Sequence, residues 1–214
     1  MMQMRFRPVV PAFLLVLRFG SASGQVVPAH LSPAAHAQTV AAFQQELNAE
    51  YRDPARTPLP AKEQARFKGL PFFPADYSYY VEARLLRDST SAPFTMKTTT
   101  LRQPRYRKYG ELHFVLQGQA LKLNVYESLD LKQQPGYEDY LFLPLTDPTN
   151  GHGSYGGGRY LDLRIPAGRA ATLWLDFNRA YNPFCAYSPQ YSCPIPPPEN
   201  HLPLPIRAGV QSDH

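Results

Sequence analysis

The stretch Glu111-Leu112-His113-Phe114-Val115-Leu116-Gln117-Gly118-Gln119-Ala120-Leu121-Lys122-Leu123-Asn124-Val125 decides the fold class. Leu112, Phe114 and Leu116 alternate with other residues, as do Leu121, Leu123 and Val125, and a period of two places each trio on one face of a strand. Between the trios, Gly118-Gln119 puts glycine at the first central position that a type II′ turn requires. The spacing therefore predicts a hairpin with arms over 111–117 and 120–128.

The same period continues outward. Residues 79–87 and 140–145 read as strands, and 158–165 with 172–178 read as a second hairpin around Pro166-Ala167-Gly168-Arg169. In that hairpin Leu161, Leu163 and Ile165 would face Leu173, Leu175 and Phe177 across the core. Short strands joined by turns give a mainly β domain, an antiparallel β-sandwich or partly open barrel, over residues 38–210. Upstream, Val40, Phe43, Leu47 and Tyr51 recur at intervals of three and four, which predicts a helix over 38–51. A short second helix is expected over 61–68, after a proline-rich break. Residues 25–37, rich in alanine, read as a flexible low-complexity segment.

Proline makes up 23 of 214 residues, about twice its usual share of roughly 5%, which excludes an all-helical bundle. Eight of these prolines fall between Asn182 and Pro205. Phe184, Tyr187, Tyr191, Ile195 and Leu202 in the same stretch supply apolar material that a free linker lacks, so an ordered C-terminal tail covering one end of the sheet is expected.

At the other terminus, Arg5 and Arg7, the apolar run from Val9 to Leu17 and Ser21-Ala22-Ser23-Gly24 match a secretory signal peptide over 1–24. Export to the periplasm or the cell exterior is the expected localisation, with no integral membrane segment left after cleavage. The whole chain carries 22 basic and 17 acidic residues, a net charge of +5. Without Arg5, Arg7 and Arg18 the count becomes 19 against 17, or +2. A near-neutral domain whose only basic run is Arg102, Arg105, Arg107 and Lys108 does not read as a nucleic-acid binder.

Gly151-His152-Gly153-Ser154-Tyr155-Gly156 fits the dinucleotide-binding pattern in letters, but a strand follows where the mechanism needs a helix N-terminus. Ser154 lacks the glycine two residues before it that a nucleophile elbow needs. With no Walker loop and no paired-histidine zinc motif, no cofactor is implied. Gly156-Gly157-Gly158 beside Arg159 could present backbone donors and a guanidinium to an anion, or form a plain turn with Arg159 paired to Asp147 or Asp176. Asp147, Thr149, Asn150, Asp176 and Asn178 are loop-capping residue types. Together with Tyr155, Tyr181 and Asn182 they would line a polar pocket if their loops converge. His113 and His152 read as solvated residues. Cys185 and Cys193 read as a disulfide in an exported chain, with a thiolate metal site as the alternative.

Taken together, Asp147-Pro148-Thr149-Asn150-Gly151, Tyr155-Gly156-Gly157-Gly158-Arg159-Tyr160-Leu161-Asp162 and Asp176-Phe177-Asn178-Arg179-Ala180-Tyr181-Asn182-Pro183 resemble the uncharacterised bacterial family DUF1684. Cys185-Ala186-Tyr187, Cys193-Pro194-Ile195-Pro196-Pro197-Pro198-Glu199-Asn200 and Ala208-Gly209 are similar to its closing motif, and Gly69-Leu70-Pro71-Phe72-Phe73-Pro74 to its shorter exported form in Bacteroidetes-type bacteria. The resemblance implies that these polar and cysteine positions, Asn200 included, belong to the family pattern; it implies no activity. Two functions stand as expectations. One is binding of a small polar or anionic ligand, or of a partner, at a pocket between the Gly156–Arg159 loop and the tail. The other is a cell-envelope hydrolase using Asp176 or Asp147 as acid or base. Oligomeric state is not encoded in any of these patterns.

Overall fold

The computed structural model describes residues 30–166 and 171–212. Residues 1–24, read above as a signal peptide, residues 25–29 of the 25–37 segment and residues 167–169 of the expected 166–169 turn lie outside the described residues. Helix α1 spans Pro33–Arg52, five residues earlier than the apolar spacing alone indicates. Ser32 accepts a hydrogen bond from the Ala35 N–H and Pro33 sits in the first turn, a start signal independent of hydrophobic period. Residues 33–37 are thus helical rather than flexible, and His36 among them is buried. A four-residue helix α2, Ala61–Gln64, follows.

The strands are β1 Tyr80–Arg87, β2 Phe94–Thr95, β3 Arg105–Leu116, β4 Gln119–Ser128, β5 Tyr140–Leu145, β6 Arg159–Arg164 and β7 Thr172–Asp176. They form one antiparallel sheet in the order β6-β5-β4-β3-β1-β7, with β2 alongside β3. The β3–β4 hairpin forms with Leu112 opposite Leu123 and Phe114 opposite Leu121. Its turn is centred one residue earlier than expected, on Gln117 (φ 50°) and Gly118 (φ 77°). Two successive left-handed residues make a type I′ rather than a type II′ turn.

The second hairpin does not form. β6 pairs with β5 and β7 pairs with β1, so the two strands occupy opposite edges of the sheet. The sheet curls into a half-barrel, and this brings Leu161, Leu163 and Ile165 into one core with Leu173, Leu175 and Phe177 without strand pairing. The edges touch at one point: the N–H groups of Tyr160 and Tyr181 each donate to the other's carbonyl, at 2.9 and 3.0 Å. A partly open barrel is the architecture.

Alternation gives the sheet two different faces. Leu85, Leu112, Leu123, Leu143, Leu161 and Leu175 of the successive strands point inward, with Leu202, Leu204 and Ile206 of the tail closing the core, while Leu86 and Val115 face out. The outer face of β3 to β6 carries Tyr106, Tyr126, Phe142 and Tyr160, against which the tail packs Phe184, Tyr191 and Cys193. Helix α1 lies along the chain that follows β7. His36 packs against Tyr77 and Tyr80, Phe43 against Arg179, and Tyr51 against Phe184 and Tyr187.

The proline-rich tail also completes the sheet. Tyr126 pairs with Phe142, so Asn124 falls opposite Pro144, which has no N–H to offer. The Asn200 side chain enters this gap: its Oδ1 accepts from the Asn124 N–H at 2.8 Å, and its Nδ2 donates to Asn124 O and Pro144 O at 2.8 and 2.7 Å. A side-chain amide thus replaces the missing peptide group. Among the described residues no helix is long and apolar enough to cross a membrane.

Candidate functional site

The expected polar constellation divides into a closed network and an open recess. In the first, Asp147 and Arg159 form an ion pair of 2.9 Å with both side chains at 0% exposure. Arg159 also donates to the carbonyls of Ile206 (2.8 Å) and Ala208. Asp147 Oδ1 accepts from the N–H groups of Thr149 and Ile206 at 2.9 and 3.0 Å. Burial pushes the Arg159 guanidinium below its usual value, and Asp147 opposes that shift. Thr149 meets Ser154 Oγ at 2.7 Å, and Asn150 donates to Ser154 Oγ and to Tyr155 O. The turn with Arg159 paired to Asp147 is therefore the arrangement adopted, and it presents no guanidinium to an incoming anion.

Asp176 and Asn178 serve a similar purpose at the other edge. Asp176 Oδ1 accepts from the Asn178 backbone N–H and side-chain amide, while Oδ2 lies 3.0 Å from His36 Nε2 on α1. Asn178 in turn exchanges hydrogen bonds with the backbone of Asp76. His36, buried and in contact with Tyr77 and Tyr80, fastens α1 to β7. Sequence reasoning missed it, although the N-terminal start signal at Ser32-Pro33 places it on the helix. Asp147 and Asp176 are thus both buried and hydrogen-bonded within the protein. Asn182 is buried too, donating to Tyr187 Oη and Gln211 O, and Asn200 is held in the sheet.

Of the expected residues, Tyr181 leads to the open recess. Its hydroxyl and that of Tyr140 both donate to Asp162 Oδ1, at 2.8 and 2.7 Å. Asp162 is exposed, and its second carboxylate oxygen carries no hydrogen bond among the described residues. Protein nevertheless crowds it enough that desolvation raises its carboxyl above the ordinary value, against the pull of the two tyrosines, Arg179 and Arg164. Asp162 is thus both exposed and crowded by its neighbours. Burial first, then the Asp162 charge, push the Tyr140 and Tyr181 hydroxyls well above their usual range, so both remain donors.

The register explains the grouping. Asp162 lies opposite Phe142 on β5, and Tyr140 lies opposite Arg164. The Tyr160–Tyr181 bridge, continued by two residues, sets Arg179 beside Asp162. Arg179 stacks over Phe43 of α1 at 5.1 Å and makes no hydrogen bond among the described residues; burial lowers its affinity for the proton, which Asp176, Glu46 and Asp162 counteract. Phe142 and Tyr160, with ring centroids 4.7 Å apart, continue the aromatic wall toward the tail. Asp162 on a strand reads as an ordinary solvated acid, and only the curl of the sheet, which period-two alternation does not report, brings it against Tyr181 and Arg179.

Cys185 and Cys193 are free thiols in direct contact; the Cys185 N–H donates to Cys193 Sγ at 3.1 Å. Tyr155, from the glycine loop, points its hydroxyl at Cys185. The glycine loop and the tail do meet, but through packing: a Cβ on Gly158 would come within 2.8 Å of Pro196 Cγ.

A family model, DUF1684, described as a protein of unknown function, matches residues 65–211. Among solved structures, the solution NMR structure of an uncharacterised protein from Haloarcula marismortui is similar, with 33% identity and a TM-score of 0.65. The match covers 83% of this chain and 94% of that one. A search of curated proteins returns no match.

Proposed function

The chain belongs to the DUF1684 family, and from that premise we propose that it is an exported, non-enzymatic domain that binds a small polar ligand in the Asp162 recess. The single observation that carries this reading is the exposed Asp162, its carboxylate fixed through one oxygen by Tyr140 and Tyr181 and its other oxygen left without a hydrogen bond among the described residues. A surface acid tied down by two tyrosine donors loses side-chain freedom for no gain in solubility, whereas a binding site needs that preorganisation. The donors of Arg179 beside it and the aromatic walls of Tyr140, Phe142 and Tyr181 complete a recess that offers acceptor, donor and apolar surface together. Opposite charges of equal number suit a neutral, hydroxyl-rich or zwitterionic molecule better than a simple anion. The ligand site thus moves from the Gly156–Arg159 loop to the neighbouring strand face.

Export rests on the signal-like residues 1–24. In an oxidising compartment, Cys185 and Cys193 would close a short loop and stiffen the tail that borders the recess.

The test is thermal shift of the purified mature chain against monosaccharides, polyols, amino acids and inorganic phosphate, together with identification of co-purifying metabolites by mass spectrometry. A saturable rise in Tm, lost in Asp162→Asn while that variant keeps its unliganded Tm, is the expected result. A flat response across the panel with no co-purifying molecule overturns the binding role, and equal binding by Asp162→Asn overturns the location.

A further inference from the structure

The two thiols are not equivalent. Cys193 is buried, with 7% of its surface exposed, while Cys185 is only partly covered and reaches solvent. Cys193 is also fixed from both sides by its backbone: its N–H donates to Thr99 Oγ1 at 3.1 Å and its carbonyl accepts from the Thr99 N–H at 2.9 Å. The adjoining Ile195 N–H donates to Lys97 O at 2.8 Å, so the tail is pinned to residues 97–99 by the same backbone pairing that joins strands. On the other side, the Tyr155 ring lies so close over Gly157 that a Cβ there would be 2.5 Å from its Cε1. This packing holds the phenol against the cysteine pair.

From this arrangement we propose that Cys185 and Cys193 form a thiol–disulfide exchange site, in which Cys185 attacks a small-molecule disulfide and Cys193 resolves the adduct. The inference rests on the pair being able to close, as suggested above, and is independent of the Asp162 recess. Cys185 is the more exposed cysteine and the one approached by donors, the Cys193 thiol and the Tyr155 hydroxyl. These are the features that separate a reactive cysteine from an inert buried one. Cys193 stands within hydrogen-bonding contact of it, held by Thr99, which is where a resolving thiol has to be.

The chemistry balances with a disulfide of the form RSSR as oxidant. The Cys185 thiolate attacks one sulfur of RSSR, a bond forms between Cys185 and that sulfur, and RS⁻ leaves. Cys193 then gives up its proton and attacks the Cys185 sulfur, forming the Cys185–Cys193 bond and expelling the second RS⁻. Two thiols of the protein are oxidised, and one RSSR is reduced to two RSH. The proton distribution favours this order. The hydrogen bond from Cys193, and after it those from Tyr155 and Thr99, draw the Cys185 thiol down from 9.0 to about 6 in spite of burial. Cys193 moves the opposite way, because its hydrogen is engaged by Cys185 and because it is buried.

The experiment uses the full chain, reduced and desalted, mixed with oxidised glutathione and quenched with acid for intact-mass and peptide analysis. The wild type should lose two hydrogens and retain no glutathione. Cys193→Ala should accumulate one glutathione on Cys185, and Cys185→Ala should react about tenfold more slowly or worse. Equal rates in the two variants overturn the assigned roles while leaving a closing bond intact. A wild type that keeps both thiols, or stops at the adduct, overturns exchange and closure together. Because either substitution could loosen the tail, a short iodoacetamide pulse on the unmutated reduced protein gives the same comparison. Cys185 should be labelled about tenfold faster than Cys193 near pH 7, and equal labelling overturns the proposal. Tyr155→Phe should move the midpoint of Cys185 alkylation to higher pH, a shift that a purely packing role for Tyr155 would not produce.

Discussion

Replacing Arg159 by methionine keeps the side chain's length and apolar stem but removes its charge, and the structure fixes what is lost. The Asp147 carboxylate, at 0% side-chain exposure, would remain with no cation beside it, and the carbonyls of Ile206 and Ala208 would lose their guanidinium donor. Breaking one side of a buried pair costs about 3–5 kcal/mol, because the remaining charge is neither hydrated nor compensated. For a chain of this size that is a fall of about 10–15 °C in Tm. Equilibrium urea unfolding at pH 7, with hydrogen exchange at residues 205–211, would measure both the loss and its location. Combining Arg159→Met with Asp147→Asn should recover about 1–2 kcal/mol, since a neutral amide oxygen can still accept from the N–H groups of Thr149 and Ile206 without leaving a bare charge. An Arg159→Met protein within about 1 kcal/mol of wild type would refute the structural reading and return Arg159 to the list of ligand-contacting candidates.

Asn200→Ala removes the side chain that bridges Asn124 and Pro144 and should cost about 2–4 kcal/mol, seen as faster amide exchange at Asn124. Gly158→Ala should cost about 2 kcal/mol or more by thermal denaturation, because φ there is +91° and the new Cβ would lie 2.6 Å from Leu145 O. Glu111 gives a pH dependence: Lys108 first, then His113, hold its carboxyl down from 4.5 to about 2. A depressed acid stabilises the fold fully above its unfolded value and loses that contribution as pH falls toward its folded one. Glu111→Gln should thus be less stable than wild type by about 0.5 kcal/mol at pH 7. That gap should close between pH 4.5 and about 2 in denaturant titrations, and a gap that persists at pH 2 would contradict the reading.

The β3–β4 hairpin was legible because, over its turn half, it buries one face, so Leu112, Phe114 and Leu116 announce both their element and their side. The partners of β6 and β7 were not. Leu161 and Leu175 share a core, and period two is equally consistent with pairing or with meeting across a curled sheet; the choice is made by Tyr160 and Tyr181, which bond only after the sheet has bent. The start of α1 was written in Ser32 and Pro33 rather than in hydrophobicity, since alanines carry little apolar signal. At the site, Asp147 and Arg159 were recognisable as partners by charge alone. The Asp162 recess was not, because its tyrosine donors come from residues 22 positions before it and 19 after it.

The way Asn200, Ile206 and Val210 are built into the molecule has a consequence for its biosynthesis. Val210 bonds to Ala180 and pairs with Phe72, Gln211 bonds to Pro71, and Asn200 fills the break between β4 and β5. The ribosome makes these residues after every strand they seal. Until then the sheet has an open seam and an uncovered aromatic face, and no earlier fragment contains the groups that would close them. The nascent chain therefore lacks the tail's share of the core, Leu202, Leu204 and Ile206, until these residues are made, and they close it through contacts between distant parts of the chain. A premature stop between β7 and Asn200 would release a product with all its strands and no seal, a natural substrate for proteolysis.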